Sequence, residues 1–221
     1  MESRIVVSVE QIFDLQERCL QHALPMVMER FAFVKECLEL VINRHVHEEV
    51  INELDDEDRE RIRGVHTYFN EAISHLIISV KLTLYGAHVE ALTIQRNALE
   101  RMACMAFMVE NKKVKQPLNR NIAFQKIVAR EIQQLHRALS TNAVHVEKSM
   151  SQRFNLDGKS YPRVGMAIDP EGTKAVMGEL ARASLYVVRV LTNFYNLKRE
   201  MVGEAYFQQV NSLENNFSTL V

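Results

Sequence analysis

Two groups of residues in this chain have types and spacings that could do chemistry. The first is Arg96 and Glu100, within GAHVEALTIQRNALE. Four positions apart on a helix, they can touch, although the acid-first order makes the better intrahelical pair. There Arg96 could anchor an anion while Glu100 moves a proton or orients a neighbour. The plainer reading is a structural pair that fixes how helices dock. If such a pair is buried, removing one partner costs about 3–5 kcal/mol. On residue types alone the structural reading is the stronger. The second group is Arg137-Ala-Leu-Ser-Thr-Asn-Ala-Val-His145. A histidine titrating near neutral pH can transfer protons, and an arginine can hold a phosphate meanwhile. With a core face running through Val128, Leu135 and Leu139, Asn142 falls on that face and His145 at its edge, while Arg137 projects further round. Ser140 lies between them in sequence. A histidine at such an edge is more often a satisfied rim residue than a catalyst.

Other clusters are weaker. His45-Val-His47-Glu48-Glu49 is the densest set of metal-ligand types, but His45 and His47 would point about 200° apart on a helix. The chain contains no Glu-x-x-His or His-Glu-x-x-His, the patterns of di-iron bundles and zincins. Glycine-rich nucleotide loops are likewise missing from the sequence, and Asp157-Gly158-Lys159-Ser160 reads only as a turn. No metal site and no cofactor is therefore expected.

The elements that must position these residues are helices. Seven glycines, four prolines and no tryptophan leave few breakers in 221 residues. Apolar residues recur at three and four, and no strand alternation stands out. A first helix is predicted over Ser8–Leu24, and a second from Pro25, a residue suited to a first turn. A third follows the acidic stretch Glu53–Asp58, whose carboxylates suit a helix start, and runs to about Tyr85. Gly86–Asn111 is apolar almost all the way round, which places it in the middle of a bundle. Its methionines, Met102, Met105 and Met108, read as core filler, as do Met26, Met28 and Met177 elsewhere. A fifth helix is expected over about Leu118–Met150, then a loop over 151–172, then a sixth helix near 173–199. A weakly ordered tail covers about 204–221. The chain reads as all-α: one domain over residues 1–221, a bundle of about six long helices.

With 27 basic and 28 acidic side chains, the chain has no overall field to hold nucleic acid or an anionic membrane. The amino-terminal stretch does not follow a secretory leader pattern, and no apolar run reaches membrane-spanning length. The three cysteines, at spacings unlike a zinc knuckle, read as reduced thiols of a cytoplasmic protein.

Taken together, the glycine-led helix with its Arg-x-x-x-Glu (Arg96, Glu100) and the later Leu139-Ser140-Thr-Asn-Ala-Val-His145 resemble a bacterial all-α family related to the HEPN superfamily, over about residues 56–150. The resemblance implies a helical bundle that forms a homodimer. Active members are metal-independent ribonucleases of defence and toxin–antitoxin systems, which implies RNA as substrate and a cognate antitoxin as partner. Their signature arginine and histidine map onto Arg137 and His145, with Arg96, Glu100, Ser140 and Asn142 as a supporting polar centre. Seven residues separate Arg137 from His145, more than the signature has. Two readings therefore stand. One is a HEPN-like ribonuclease. The other is a non-enzymatic helical module that binds a protein or small ligand, its polar centre purely structural.

Overall fold

The computed structural model describes residues 9–44, 46–110, 133–137, 139, 153–156, 159–162, 170–196 and 199–220. Among these the fold is an all-α bundle of five long helices, α1 (Val9–Ile42), α3 (Asp56–Leu84), α4 (His88–Glu110), α5 (Pro170–Asn196) and α6 (Gly203–Leu220). A short α2 (Glu48–Asn52) and a 3₁₀ turn (Arg199–Met201) complete the set. Residues 133–137 are also helical. Among the described residues, no helix is long and apolar enough to cross a membrane.

The acidic start of α3 behaves as its sequence suggests. Asp55 is the cap, and its Oδ1 accepts the Asp58 N–H at 2.7 Å, while Asp56, Glu57 and Asp58 sit against the positive end of the helix dipole. Gly86 closes the helix at φ 75°, a left-handed conformation that glycine adopts without steric cost. That tight connection folds α4 back on α3, making an antiparallel pair with the most extensive packing in the molecule. Ser79 donates to the Ala91 carbonyl at 3.0 Å across the pair. As expected of a central helix, only Glu90 and Thr93 are exposed between residues 88 and 108.

Four sequence expectations are corrected. The two helices predicted on either side of Pro25 are one, because Pro25 lies inside α1. Proline forfeits one hydrogen bond and clashes with the preceding turn, at about 3 kcal/mol. Tertiary burial of Val27, Phe33, Val34, Cys37, Leu38 and Val41 further along the same helix outweighs that. The tail is not weakly ordered: α6 is an 18-residue helix that buries Tyr206, Phe207, Val210 and Leu213 at helical spacing. The 151–172 loop contains an antiparallel hairpin, β1 (Arg153–Leu156) with β2 (Lys159–Pro162), pairing Leu156 with Lys159. The two intervening residues, Asp157-Gly158, are a strong hairpin signal that the helical background outweighed in the sequence reading. The rest of the expected loop at its far end is helix, since α5 begins at Pro170.

At the centre of the bundle α4 has company. Helix α5 packs against α1, α3, α4 and α6, and its residues Ala183–Val188 are buried without interruption. His88 Nε2 and Thr173 Oγ1, 2.9 Å apart and both buried, fasten the start of α4 to the start of α5.

Candidate functional site

The Arg96–Glu100 pair forms as its spacing predicts, with Arg96 Nε donating to Glu100 Oε1 at 3.1 Å. The same oxygen lies 3.2 Å from Nε2 of His136. Glu100 therefore joins its own helix, α4, to the helical segment at 133–137. With the carboxylate ionised, His136 must carry its proton on Nε2 to donate. Glu100 and His136 have side chains 17% and 19% exposed, and Arg96 is more open at 37%. The hydrogen bond from His136 holds the Glu100 carboxyl below its usual range; burial opposes this, and the Arg96 charge adds to it. This cluster is a charge-neutralising tie at a half-buried helix contact.

His136 was missed in the sequence. It follows Leu135, a core position, and so flanks the face that meets α4; that adjacency was its only signal. Arg137, the predicted phosphate-binding residue, is exposed and stands outside the tie. Ser140, Asn142 and His145 lie outside the described residues, so the predicted Arg137–His145 pair and the wider polar centre are not assembled by the geometry available.

A second polar group lies at the carboxy-terminal end of α1. Arg44, just beyond the helix, turns inward with its Nε donating to Tyr195 Oη at 2.6 Å and Nη1 donating to the Val41 carbonyl. Its guanidinium lies over the Phe69 ring, 4.2 Å from the centroid. Among the described residues no carboxylate is within ion-pairing distance of it. Tyr195 is fully buried, and its ring meets Tyr206 edge-on with centroids 5.6 Å apart. Burial pushes the Tyr206 phenol up to about 12 and raises that of Tyr195 as well, so both stay neutral beside the arginine. His66 stands edge-on to Phe194 with centroids 6.3 Å apart. Burial, and secondarily the Arg44 charge, pushes it down to about 4. Its Nε2 is sealed without a hydrogen-bond partner among the described residues.

Arg44 also lines a cavity of about 500 Å³ between the end of α1 and helix α6, with Asn43, Tyr206, Gln209 and Ser212 among its polar walls. That volume is in the range of small-molecule sites. Neither Arg44 nor the cavity was read from the sequence. Three tyrosine and phenylalanine contacts from separate helices create the site, and no local motif announces them.

Comparison with family models, curated proteins and solved structures finds no match. The HEPN resemblance therefore rests on the short motifs alone. Among the described residues, no three His, Cys, Asp or Glu side chains group closely enough to hold a metal ion; His47 is the exposed cap residue of α2, and His45 lies outside them. Met102, Met105, Met108 and Met177 are buried core, as their spacing suggested, but the same expectation is corrected for Met26 and Met28, which are exposed on α1.

Proposed function

We propose that this chain is a non-enzymatic helical binding module in which Arg96, Glu100 and His136 are structural. One observation carries the reading: both Arg96 and His136 are turned onto a single Glu100 oxygen, while Arg137 stands exposed outside the cluster. A charged hydrogen-bond network of this kind defines how two helices dock. Arg44, without an ion-pair partner among the described residues and beside a sizeable cavity, supports a binding role at the carboxy-terminal end of α1.

A second reading has a specific observation in its favour. A carboxylate hydrogen-bonded to a histidine is the arrangement that orients a general base, and His136 is the neighbour of Arg137 in sequence. In a HEPN-like ribonuclease, the histidine (His145 by the motif, or His136 by this contact) would take the 2′-hydroxyl proton. The 2′-oxygen would attack phosphorus, the 5′-oxygen would leave with a proton, and Arg137 or Arg96 would stabilise the phosphorane charge. RNA, a cognate antitoxin and a homodimer belong to this second reading.

Inducible expression of the wild type, His136→Ala and His145→Ala, scored by RNA integrity and growth, separates the two. The binding-module reading expects intact RNA in all three. Degradation by the wild type that either substitution abolishes would establish the ribonuclease instead.

A further inference from the structure

We infer that the cavity between α1 and α6 binds a short zwitterion of the di- or tripeptide type, its carboxylate on Arg44 and its ammonium group toward Glu39 and Glu36. The inference rests on the binding-module reading and names the ligand class of that module.

Arg44 supplies the anion end. Of the five N–H donors of a guanidinium, one is taken by Tyr195 Oη and one by the Val41 carbonyl. Three remain for a ligand, and no carboxylate among the described residues offsets the charge. The Phe69 face beneath compensates it only in part. A half-buried cation in that state gains from an incoming carboxylate, because charge-assisted and forked hydrogen bonds are the strong ones. Tyr195 fixes the side chain beforehand, so little of the gain is lost to ordering.

The acidic wall, although solvent-exposed, disfavours a simple anion. Glu36 and Glu39 line the same cavity. Glu39 shares its charge with Lys35 at 3.6 Å, whereas Glu36 has no ion-pair partner among the described residues. A phosphate or a dicarboxylate drawn to Arg44 would meet those carboxylates. A molecule that is negative at one end and positive at the other satisfies both. The cavity's size sets the ligand's length: its volume is about 500 Å³, with Glu36 and Glu39 on α1 and Arg44 just beyond the end of that helix. A free α-amino acid would fill only a small part of that space. The termini of a di- or tripeptide, several ångströms apart, suit it. Asn43 and Gln209 offer amides for the peptide groups in between, and Leu40 and Leu213 give the side chains an apolar wall.

Titration calorimetry of the full chain with tri-alanine tests this, alongside tri-alanine amide (no carboxylate) and N-acetyl-tri-alanine (no ammonium). The expected result is saturable binding of tri-alanine, weakened about tenfold or more by either blocked end, since a lost charged hydrogen bond removes about that much. Arg44→Gln should lose the same factor for tri-alanine and should make no distinction between it and the amide. Arg44→Lys, which keeps the charge, should retain part of the affinity. The blocked peptides act on unaltered protein, so a poorly folding Arg44 variant cannot obscure the answer. Absence of tri-alanine binding, or equal binding of acid and amide, overturns the proposal. Neither result touches the binding-module reading, which fails separately if RNA cleavage depends on His136 or His145.

Discussion

His66 gives the sharpest quantitative prediction. Its imidazole, carried on α3, is largely buried against the Phe194 ring, with Nε2 sealed and without a hydrogen-bond partner among the described residues, and Arg44 adds an unfavourable charge. The folded protein therefore holds it neutral, with its pKa pushed down from 6.5 to about 4. The unfolded chain binds the proton more readily, so stability is intact above the ordinary histidine range and falls as pH drops through it toward 4. At pH 4.5 an unfolded imidazole is almost wholly protonated and the folded one only about a quarter so. That leaves nearly two pKa units of difference, at about 1.4 kcal/mol each, or about 2–3 kcal/mol. His66→Phe removes the titration while keeping an aromatic ring against Phe194. Urea unfolding followed by far-ultraviolet circular dichroism, at pH 7 and pH 4.5, gives the comparison. The wild type should lose about 2–3 kcal/mol more than the variant between the two pH values. Equal losses in both proteins would mean that His66 is solvated or charged in the fold, and the reasoning would fail.

Other substitutions probe separate features. Gln95 is fully buried in α4, with neither amide atom hydrogen-bonded among the described residues; Gln95→Leu should raise stability by about 1–2 kcal/mol, and a drop in the urea midpoint would argue for an amide partner. Gly203 opens α6 at φ 72° with open space where a Cβ would go, so Gly203→Ala should cost about 1–2 kcal/mol through backbone strain alone, read from thermal unfolding. Arg137→Ala, at an exposed position outside the tie, should change stability by less than about 0.5 kcal/mol in the same assay.

The parts of the fold legible in the sequence were those set by local rules. Period, cap and breaker together marked α3: Ile62, Val65, Phe69, Ile73 and Leu76 are buried as their spacing suggested, although Ile77 of the same repeat is exposed and Val80 and Leu84 are half-buried, while Asp55 caps the start and Gly86 ends it. What local rules got wrong was decided by tertiary burial. Pro25 reads as a helix start, yet packing carries α1 through it. The polar composition of the carboxy-terminal stretch hides four buried side chains, which become an obvious stripe only against α1 and α5. For the polar centre, the four-residue spacing of Arg96 and Glu100 was sufficient because both lie on one helix. Their partner His136 is 36 residues away from Glu100, and no spacing rule reaches that far. Arg44 and Tyr195, 151 residues apart, were out of reach for the same reason.

The central claim is that Glu100 ties α4 to the 133–137 segment through His136. A double-mutant cycle of Glu100→Gln and His136→Phe, with urea unfolding at neutral pH, measures that coupling directly. Side chains this incompletely buried should couple by about 1 kcal/mol, well above the additivity limit of about 0.3–0.5 kcal/mol. Strictly additive losses would contradict the account and leave the pair without a structural role.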